Sequence, residues 1–424
     1  MNDTTDHIDS FGRYGPKHGV YLTHDELESA LHHIGPLASN MDEEYIVKAG
    51  GRSWTRVKTE AEVAGLVVAS TGSAAVPRVV AWSSMAVPRT GTDMPSRPEY
   101  VAVTRARGVC AADLWRHLSP THRADVVRQL AHIVGKIKSD PATRALVDAG
   151  TVGCLGVAGP NPTAAATDAP QLADVVVGRT VERGDGPWVP TDTDGSNSAR
   201  AYIRDTSSAA AKMLAATPVL APMREVLGDR IDQYLASLSS NGDEDAWWAS
   251  VPLDLMHGDL NLRNVMVDMP GIDFSGMADD PLALKQHHDV ATTKEGITVT
   301  AVLDWEWAGV YPCWDEHIAS YDFLHDDSAA ELLGLDDDIA LPASVLDQVA
   351  GYRDTFFGIL EAEYGLPTPR TVRGFDSGLA MAKARDAIAP WYMMDLVDPT
   401  SAGTADKVKA CTTELAMTLT ELGF

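Results

Sequence analysis

The chain is poor in what marks secreted, membrane-bound or nucleic-acid-binding proteins. Its four cysteines (Cys110, Cys154, Cys313, Cys411) are scattered over 424 residues without a C-x-x-C pair. That excludes a metal knuckle and argues against a disulfide framework, so reduced thiols are expected. No apolar run approaches the ~18 residues of a membrane-spanning helix. Met1-Asn2-Asp3-Thr4-Thr5-Asp6 lacks the basic start and apolar core of a signal peptide, which makes the cytoplasm the expected compartment. Bases are scarce too: 34 Lys and Arg stand against 60 Asp and Glu, a formal net charge of -26. Nucleic acid and anionic membrane surfaces are bound through clustered bases, so neither is an expected partner. Internal repeats and coiled-coil heptads are absent.

What is present fits a globular protein. Apolar residues make up 45% and charged residues 22% of a chain long enough for more than one folding unit, most simply two lobes. Residues 1–103 read as a small mixed lobe. Glu44–Lys48, Pro77–Trp82 and Glu99–Val103 are strand candidates. Thr59-Glu60-Ala61-Glu62 opens a helix as a capping box, with Val63, Leu66 and Val67 as its apolar face. Residues 104–424 read as a larger, mainly helical lobe. Ser119-Pro120 starts a helix along which Val126, Val127, Leu130, Ile133, Val134 and Ile137 recur with helical period. Gly159–Ser198 reads as irregular, and helices resume at Ala199–Ala216 and Pro222–Leu238. Val251–Leu255, Val265–Val267 and Val299–Leu303 are further strands, and the polar stretch Asp268–Ile297, with His287-His288, reads as an insertion on a hairpin tip.

The chemistry is concentrated in two segments. His257-Gly258-Asp259-Leu260-Asn261-Leu262-Arg263-Asn264 has the pattern H-x-D-x-x-x-x-N, and Leu303-Asp304-Trp305-Glu306-Trp307 puts an acid at the end of an apolar run. Phosphoryl transfer from a nucleoside triphosphate needs a carboxylate to receive the acceptor hydroxyl's proton. It also needs hard oxygen donors for the magnesium on the phosphates. Asp259 fits the catalytic role, and Asn264 and Asp304 fit the metal role, in that chain order. His257 in this pattern is a brace to backbone rather than a proton carrier. Lys48 ends a strand before a capped helix, a position from which it can reach the α- and β-phosphates. Glu60 shares a stripe with Val63 and Val67 and is the favoured partner for that lysine, while Glu62 has a competing job as the capping-box acid.

The stretches Met256–Val267 and Val302–Pro312 resemble the aminoglycoside phosphotransferase and choline kinase superfamily. The closest resemblance is to its fungal-type branch, where H-G-D-L-x-x-x-N and I-D-W-E-W-A-G-x-Y-P are typical. Fainter similarity runs from Val47-Lys48 through Glu99-Tyr100, the helix after Ser119 and Gly153–Pro160. The resemblance implies an α+β, protein-kinase-like fold of two lobes and transfer of the γ-phosphate of ATP, with magnesium, to a hydroxyl of a small molecule. GTP in place of ATP stays open. It also implies that backbone groups within Val103–Ala106, Val103 and Arg105 among them, hold the base, and it supports Glu60 through a Glu-Ala pair at that place. Two departures are visible. Gly35-Pro36-Leu37-Ala38-Ser39-Asn40 is a poor substitute for a glycine-rich phosphate loop, and Thr104 stands where relatives often carry an acid.

Two other readings stand beside this one. A protein kinase would need an Ala-Pro-Glu signature after Asp304, which is missing, and Trp305-Glu306 replaces Phe-Gly. A non-catalytic pseudokinase would not need Lys48, Asp259, Asn264 and Asp304 together. For the acceptor, the acidity has a plain explanation in solubility and a sharper one in a cationic substrate. Glu306, Asp315 and Glu316 beside Trp305, Trp307, Tyr311 and Trp314 motivate the second.

Overall fold

The computed structural model describes residues 45–49, 75–77, 79–83, 100–150, 152–157, 175–177, 198–239, 245–272, 296–335, 340–390, 393 and 402–424. The earliest of these form an antiparallel sheet, ordered β1-β3-β2, from β1 (Tyr45–Ala49), β2 (Val79–Ser83) and β3 (Tyr100–Thr104). Lys48 lies opposite Val101, while Val103 pairs with Ile46 and Val79. The strand that carries the lysine is therefore the neighbour of the strand that leads into the linker. Glu60 and its capping box, Gly35–Asn40 and His287-His288 lie outside the described residues.

The linker turns at Gly108, whose φ is +88° and where a Cβ would sit 1.9 Å from the Val267 carbonyl oxygen, so no side chain fits. Then come β4 (Val109–Cys110), α1 (Ala111–Trp115) and α2 (Pro120–Ser139). The Ser119 hydroxyl accepts the His122 N–H at 3.2 Å and Pro120 occupies the first turn, as the sequence predicts. Val126, Val127, Leu130, Val134 and Ile137 are buried along one face. After α3 (Pro141–Asp148), β5 (Gly153–Val157) pairs with β6 (Val175–Val177). The second strand corrects the irregular reading of Gly159–Ser198. Three valines are a run too short to stand out among Pro, Gly, Thr and Asp.

The helices α4 (Ala199–Ala216), α5 (Ala221–Ser239) and α6 (Asp245–Ala249) precede the strands of the motif region. These are β7 (Leu253–Met256), β8 (Val265–Asp268), β9 (Thr298–Val302) and β10 (Gly309–Pro312). They form two antiparallel sheets, β6-β5-β10-β7 and β4-β8-β9. Because β8 and β9 pair directly, the polar stretch between them leaves from the end of a hairpin. The chain closes with α7 (Glu316–Ala319), α8 (Asp326–Leu333), α9 (Ala343–Tyr364), α10 (Phe375–Ile388) and α11 (Ala402–Glu421). The result is the mixed α+β architecture expected, helix-rich after β3.

Two apolar cores organise the described residues. One gathers buried residues of α1, α2 and α9 with those of β8 and β9; the other gathers α4, α5, α10 and α11 around Trp248 and Trp314. No helix among the described residues is long and apolar enough to cross a membrane.

Candidate active site

The sheet pairing brings the two motifs together. His257–Asn264 connects β7 to β8, and Leu303–Ala308 connects β9 to β10. Since β7 pairs with β10 and β8 with β9, both connections cross between the same two sheets, side by side. The Leu303 N–H donates to the Asn264 carbonyl at 2.8 Å, which ties them directly. Gly258, at φ +82°, lets the crossing be tight: a Cβ there would lie 2.7 Å from the Trp307 Cβ.

Asp259 sits in a ring of donors. The Asn264 amide Nδ2 donates to its carbonyl at 2.7 Å and to its Oδ2 at 3.0 Å. The Asn261 amide donates to Oδ1 at 2.8 Å and is itself anchored, donating to the Ala319 carbonyl and accepting the Asp322 N–H. Arg263 reaches Oδ1 at 2.5 Å from a half-exposed position. The carboxylate's two edges thus differ. Oδ2 faces the amide of Asn264, and Oδ1 faces Arg263 and Asn261.

His257 is a brace, and its tautomer follows from its partners. Its Nε2 lies 2.8 Å from the Leu303 carbonyl oxygen, which can only accept, so Nε2 carries the proton. Its Nδ1 accepts the Asp259 N–H at 3.3 Å. One neutral ring serves both bonds, and burial holds its pKa below the ordinary value, against the pull of Glu316 and the Leu303 carbonyl. The Trp305 ring packs on it at 4.5 Å between centroids.

Beneath the loop lies a clamp that sequence reasoning did not find. Glu316, 1% exposed, accepts the N–H groups of His257 and Gly258, each at 3.0 Å, and the Ser320 hydroxyl at 2.7 Å. The Ser320 oxygen accepts the Leu260 N–H, and Asp322 Oδ1 accepts the Leu262 N–H at 3.0 Å. Lys138 of α2 balances the charge, with its Nζ 2.9 Å from Asp254 Oδ2 and 3.8 Å from Glu316 Oε2. Burial alone lowers a lysine's pKa, but Asp254, Tyr321 and Glu316 outweigh it and keep the ammonium charged. One signal was in the sequence: Lys138 continues the stripe Leu130–Val134, four residues apart, where a surface lysine does not belong.

Asp304 occupies the left-handed region, φ 65° and ψ 61°, one of two described non-glycine residues with positive φ. Both neighbours hold it there. Leu303 is fixed through its N–H and carbonyl, and the Trp305 indole donates to the Val302 carbonyl at 3.1 Å. Such a conformation at the end of a strand is the kind of local strain found at functional positions.

The donor set fits magnesium. Asn264 has its amide nitrogen committed to Asp259, which leaves its side-chain oxygen for a cation, and Asp304, next to the Leu303 whose N–H binds the Asn264 carbonyl, would add a carboxylate. No group of three or more His, Cys, Asp or Glu that could hold a metal exists among the described residues. Two protein ligands suit an ion that keeps waters and phosphate oxygens in its shell.

Of the other predicted residues, Lys48 and Val103 lie on β1 and β3, and Arg105 is exposed just past β3. The Val302 N–H donates to the Ala75 carbonyl at 2.6 Å, so the chain just before β2 touches the strand that leads to Asp304. Four of the seven side chains that motivate a cationic acceptor are engaged within the protein. Glu316 is spent on the loop, and Asp315 accepts from Arg385 and the Tyr202 hydroxyl, each at 2.8 Å. Trp314 is fully buried, stacked on Trp247 at 5.9 Å, and Trp305 packs inward. These four side chains serve packing and clamping.

No family model and no curated protein matches the chain. Among solved structures it is similar to APH(2")-IIa in complex with gentamicin, at 11% identity over 93% of this chain and 97% of that one, with a TM-score of 0.45. It is also similar to a thermostable mutant of the aminoglycoside phosphotransferase APH(4)-Ia in ternary complex with AMP-PNP and hygromycin B. There the identity is 14% over 89% and 86% of the two chains, with a TM-score of 0.41. The aminoglycoside phosphotransferase APH(3'')-Id from Streptomyces rimosus, in complex with ADP and streptomycin, matches at 14% identity over 84% and 98%, with a TM-score of 0.34. Likenesses this loose carry no argument about this chain's activity.

Proposed function

We propose that the chain is a magnesium-dependent phosphotransferase with a kinase-like arrangement of two lobes, residues 1–103 and 104–424, acting in the cytoplasm. It moves the γ-phosphate of ATP, or of GTP, to a hydroxyl of a small molecule. The supporting observation is the junction of the two motifs: Asn264 holds Asp259 through its amide nitrogen and Leu303 through its backbone carbonyl. Asp259, Asn264 and Asp304, the residues proposed as base and metal ligands, belong to that one crossing. Lys48 and Glu60 would position the α- and β-phosphates, and backbone groups of Val103 and Arg105 the base.

In this reading the acceptor oxygen forms a bond to the γ-phosphorus as the bond to the β,γ-bridging oxygen breaks. Asp259 receives the hydroxyl proton, and the nucleoside diphosphate leaves. Magnesium, held by Asn264 and Asp304, would neutralise phosphate charge. Asp259 is pre-positioned by Asn261 and Asn264, so little reorganisation is needed at the moment of transfer.

The test separates the roles. Asp259→Asn should lower turnover by about 10²–10⁴-fold while nucleotide binding and thermal stability change little. Asn264→Ala and Asp304→Ala should weaken nucleotide binding in the presence of magnesium and not in its absence. Near-normal turnover in the first variant, or unchanged metal dependence in both of the others, would refute the proposal.

A further inference from the structure

Away from the motif loops, a buried cation stands without an acid. Arg123 of α2 is 9% exposed, and no carboxylate among the described residues pairs with it. Its Nε donates to the Trp115 carbonyl at 2.9 Å and its Nη2 to the Arg116 carbonyl at 3.3 Å, at the C-terminal end of α1. The Trp115 ring centroid lies 5.9 Å from its guanidinium carbon. These contacts fix the guanidinium in place, but two carbonyls and a ring face leave its full charge uncancelled. The Tyr352 hydroxyl is close enough to feel that charge. Tyr352 is 6% exposed and meets Trp115 edge-on, yet its oxygen is buried without a well-formed hydrogen bond to any described group. Burial holds its pKa above the ordinary value, against the pull of Arg123, so the O–H stays a donor at neutral pH.

Both side chains line a cavity of about 10 Å³ between α2, α8 and α9, with room for about one water-sized particle. Phe323, Leu333 and Val349 are its apolar walls, and Gln348, one helical turn before Tyr352 on α9, adds an amide. Guanidinium N–H, phenol O–H and amide N–H₂ are all donors. A water is best held by acceptors and donors together, whereas a monatomic anion needs donors alone and also cancels the charge of Arg123. A cavity of this size leaves no room for a phosphate or a carboxylate-bearing metabolite. We infer that Arg123, Tyr352 and Gln348 form a binding site for a single halide ion, chloride being the abundant one, which stabilises the packing of α2 against α9.

The site is independent of the phosphotransferase reading, since none of its residues belongs to the loops that carry Asp259 and Asp304. Thermal unfolding of the whole chain is followed as gluconate, too large for the cavity, is replaced by chloride or bromide at constant ionic strength and pH. The midpoint should rise by about 1–2 °C for each tenfold increase of halide above its dissociation constant. Tyr352→Phe keeps the ring and removes only the unpartnered hydroxyl, so it should fold normally while halide affinity falls about three- to tenfold. Arg123→Met should abolish the halide dependence. Comparing wild type with Tyr352→Phe also subtracts the general effect of exchanging the salts. Chlorine NMR of the wild type should show a saturable linewidth contribution that bromide displaces and Tyr352→Phe weakens. Midpoints that respond to the anions identically in wild type and Tyr352→Phe, or a chloride linewidth that this variant leaves unchanged, would overturn the inference and leave Arg123 as a cap on α1 alone.

Discussion

Around the loop that carries Asp259, buried charge is part of the scaffold. The helices α4, α5, α10 and α11 are packed instead from Ile203, Met223, Ala382, Leu415 and Leu419, all fully buried. Their buried ion pair, Arg385–Asp315, lies at the edge facing β10. The difference follows from what each region has to hold. Apolar packing is non-directional, so it fixes volume and helix spacing but not the orientation of a peptide plane. A loop whose own N–H groups cannot pair within a strand needs acceptors brought to it, and Glu316, Ser320 and Asp322 bring them. Once such acceptors are buried they must be balanced, which is the place of Lys138.

The largest expected effect breaks the clamp. Glu316→Ala removes the acceptor for two N–H groups and a hydroxyl and leaves Lys138 and Asp254 without their third member. Losing one partner of a buried charged network costs about 3–5 kcal/mol. Chemical denaturation would read that loss, and turnover of the folded protein should fall as well, since the peptides around Asp259 lose their anchor. Leu415→Ala in the helical core should cost a comparable or slightly smaller amount, about 2–5 kcal/mol, through transfer and cavity terms. Its folded fraction should keep magnesium-dependent nucleotide binding and turnover. Equal damage to turnover in the two variants would mean that the cores are not functionally distinct.

The same contrast explains what could be read from the sequence. The Ser119-Pro120 start and the valine and leucine stripe of α2 are local signals, and the helix lies where they place it. Asp259 and Asn264 are five residues apart on one loop, so their pattern survives in the linear chain. Glu316 serves N–H groups 58 and 59 residues away, a pairing decided by which strands neighbour which. Nothing local distinguishes it from a solvated acid, and reading it with Asp315 as an acceptor site followed from that. Arg263 was passed over for the opposite reason. It sits inside the motif at a position whose residue type the pattern leaves open.

A smaller effect sharpens the comparison where the cores meet. His317 touches Tyr321 of the clamp segment, Phe357 of α9 and Phe375 of α10, at 5.2, 5.6 and 5.0 Å between ring centroids. Burial among these rings, aided by the charges of Lys138 and His325, pushes its pKa down to about 3. A base whose pKa is lowered on folding is protonated first in the unfolded chain. Its contribution is therefore present at neutral pH and lost as pH falls from the ordinary 6.5 towards about 3. In that window His317 adds a slope of up to about 1.4 kcal/mol per pH unit. His317→Leu should flatten the stability profile between those limits, with His257 and His325, both also held low by burial, supplying slope that remains. An unchanged profile would show that the junction is wetter than its ring contacts imply.

The smallest effect concerns the weakest bond to the loop. The Cys110 thiol points at the carbonyls of Leu262 and Arg263, at 3.6 and 3.4 Å, from the strand that pairs with β8. Burial, with Asp113 nearby, pushes its pKa up to about 11, so it stays protonated at neutral pH and donates one weak S–H bond shared between two acceptors. If directional bonds control the loop, the consequence of removing one should scale with its strength. Cys110→Ala should then cost less than about 1 kcal/mol in stability and change turnover by no more than about twofold. The thiol should also react slowly with alkylating agents below pH 8, because the thiolate is the nucleophile and little of it forms. A loss of turnover as large as that of Glu316→Ala would mean that filling the space under Arg263, and not bond strength, sets the loop's position.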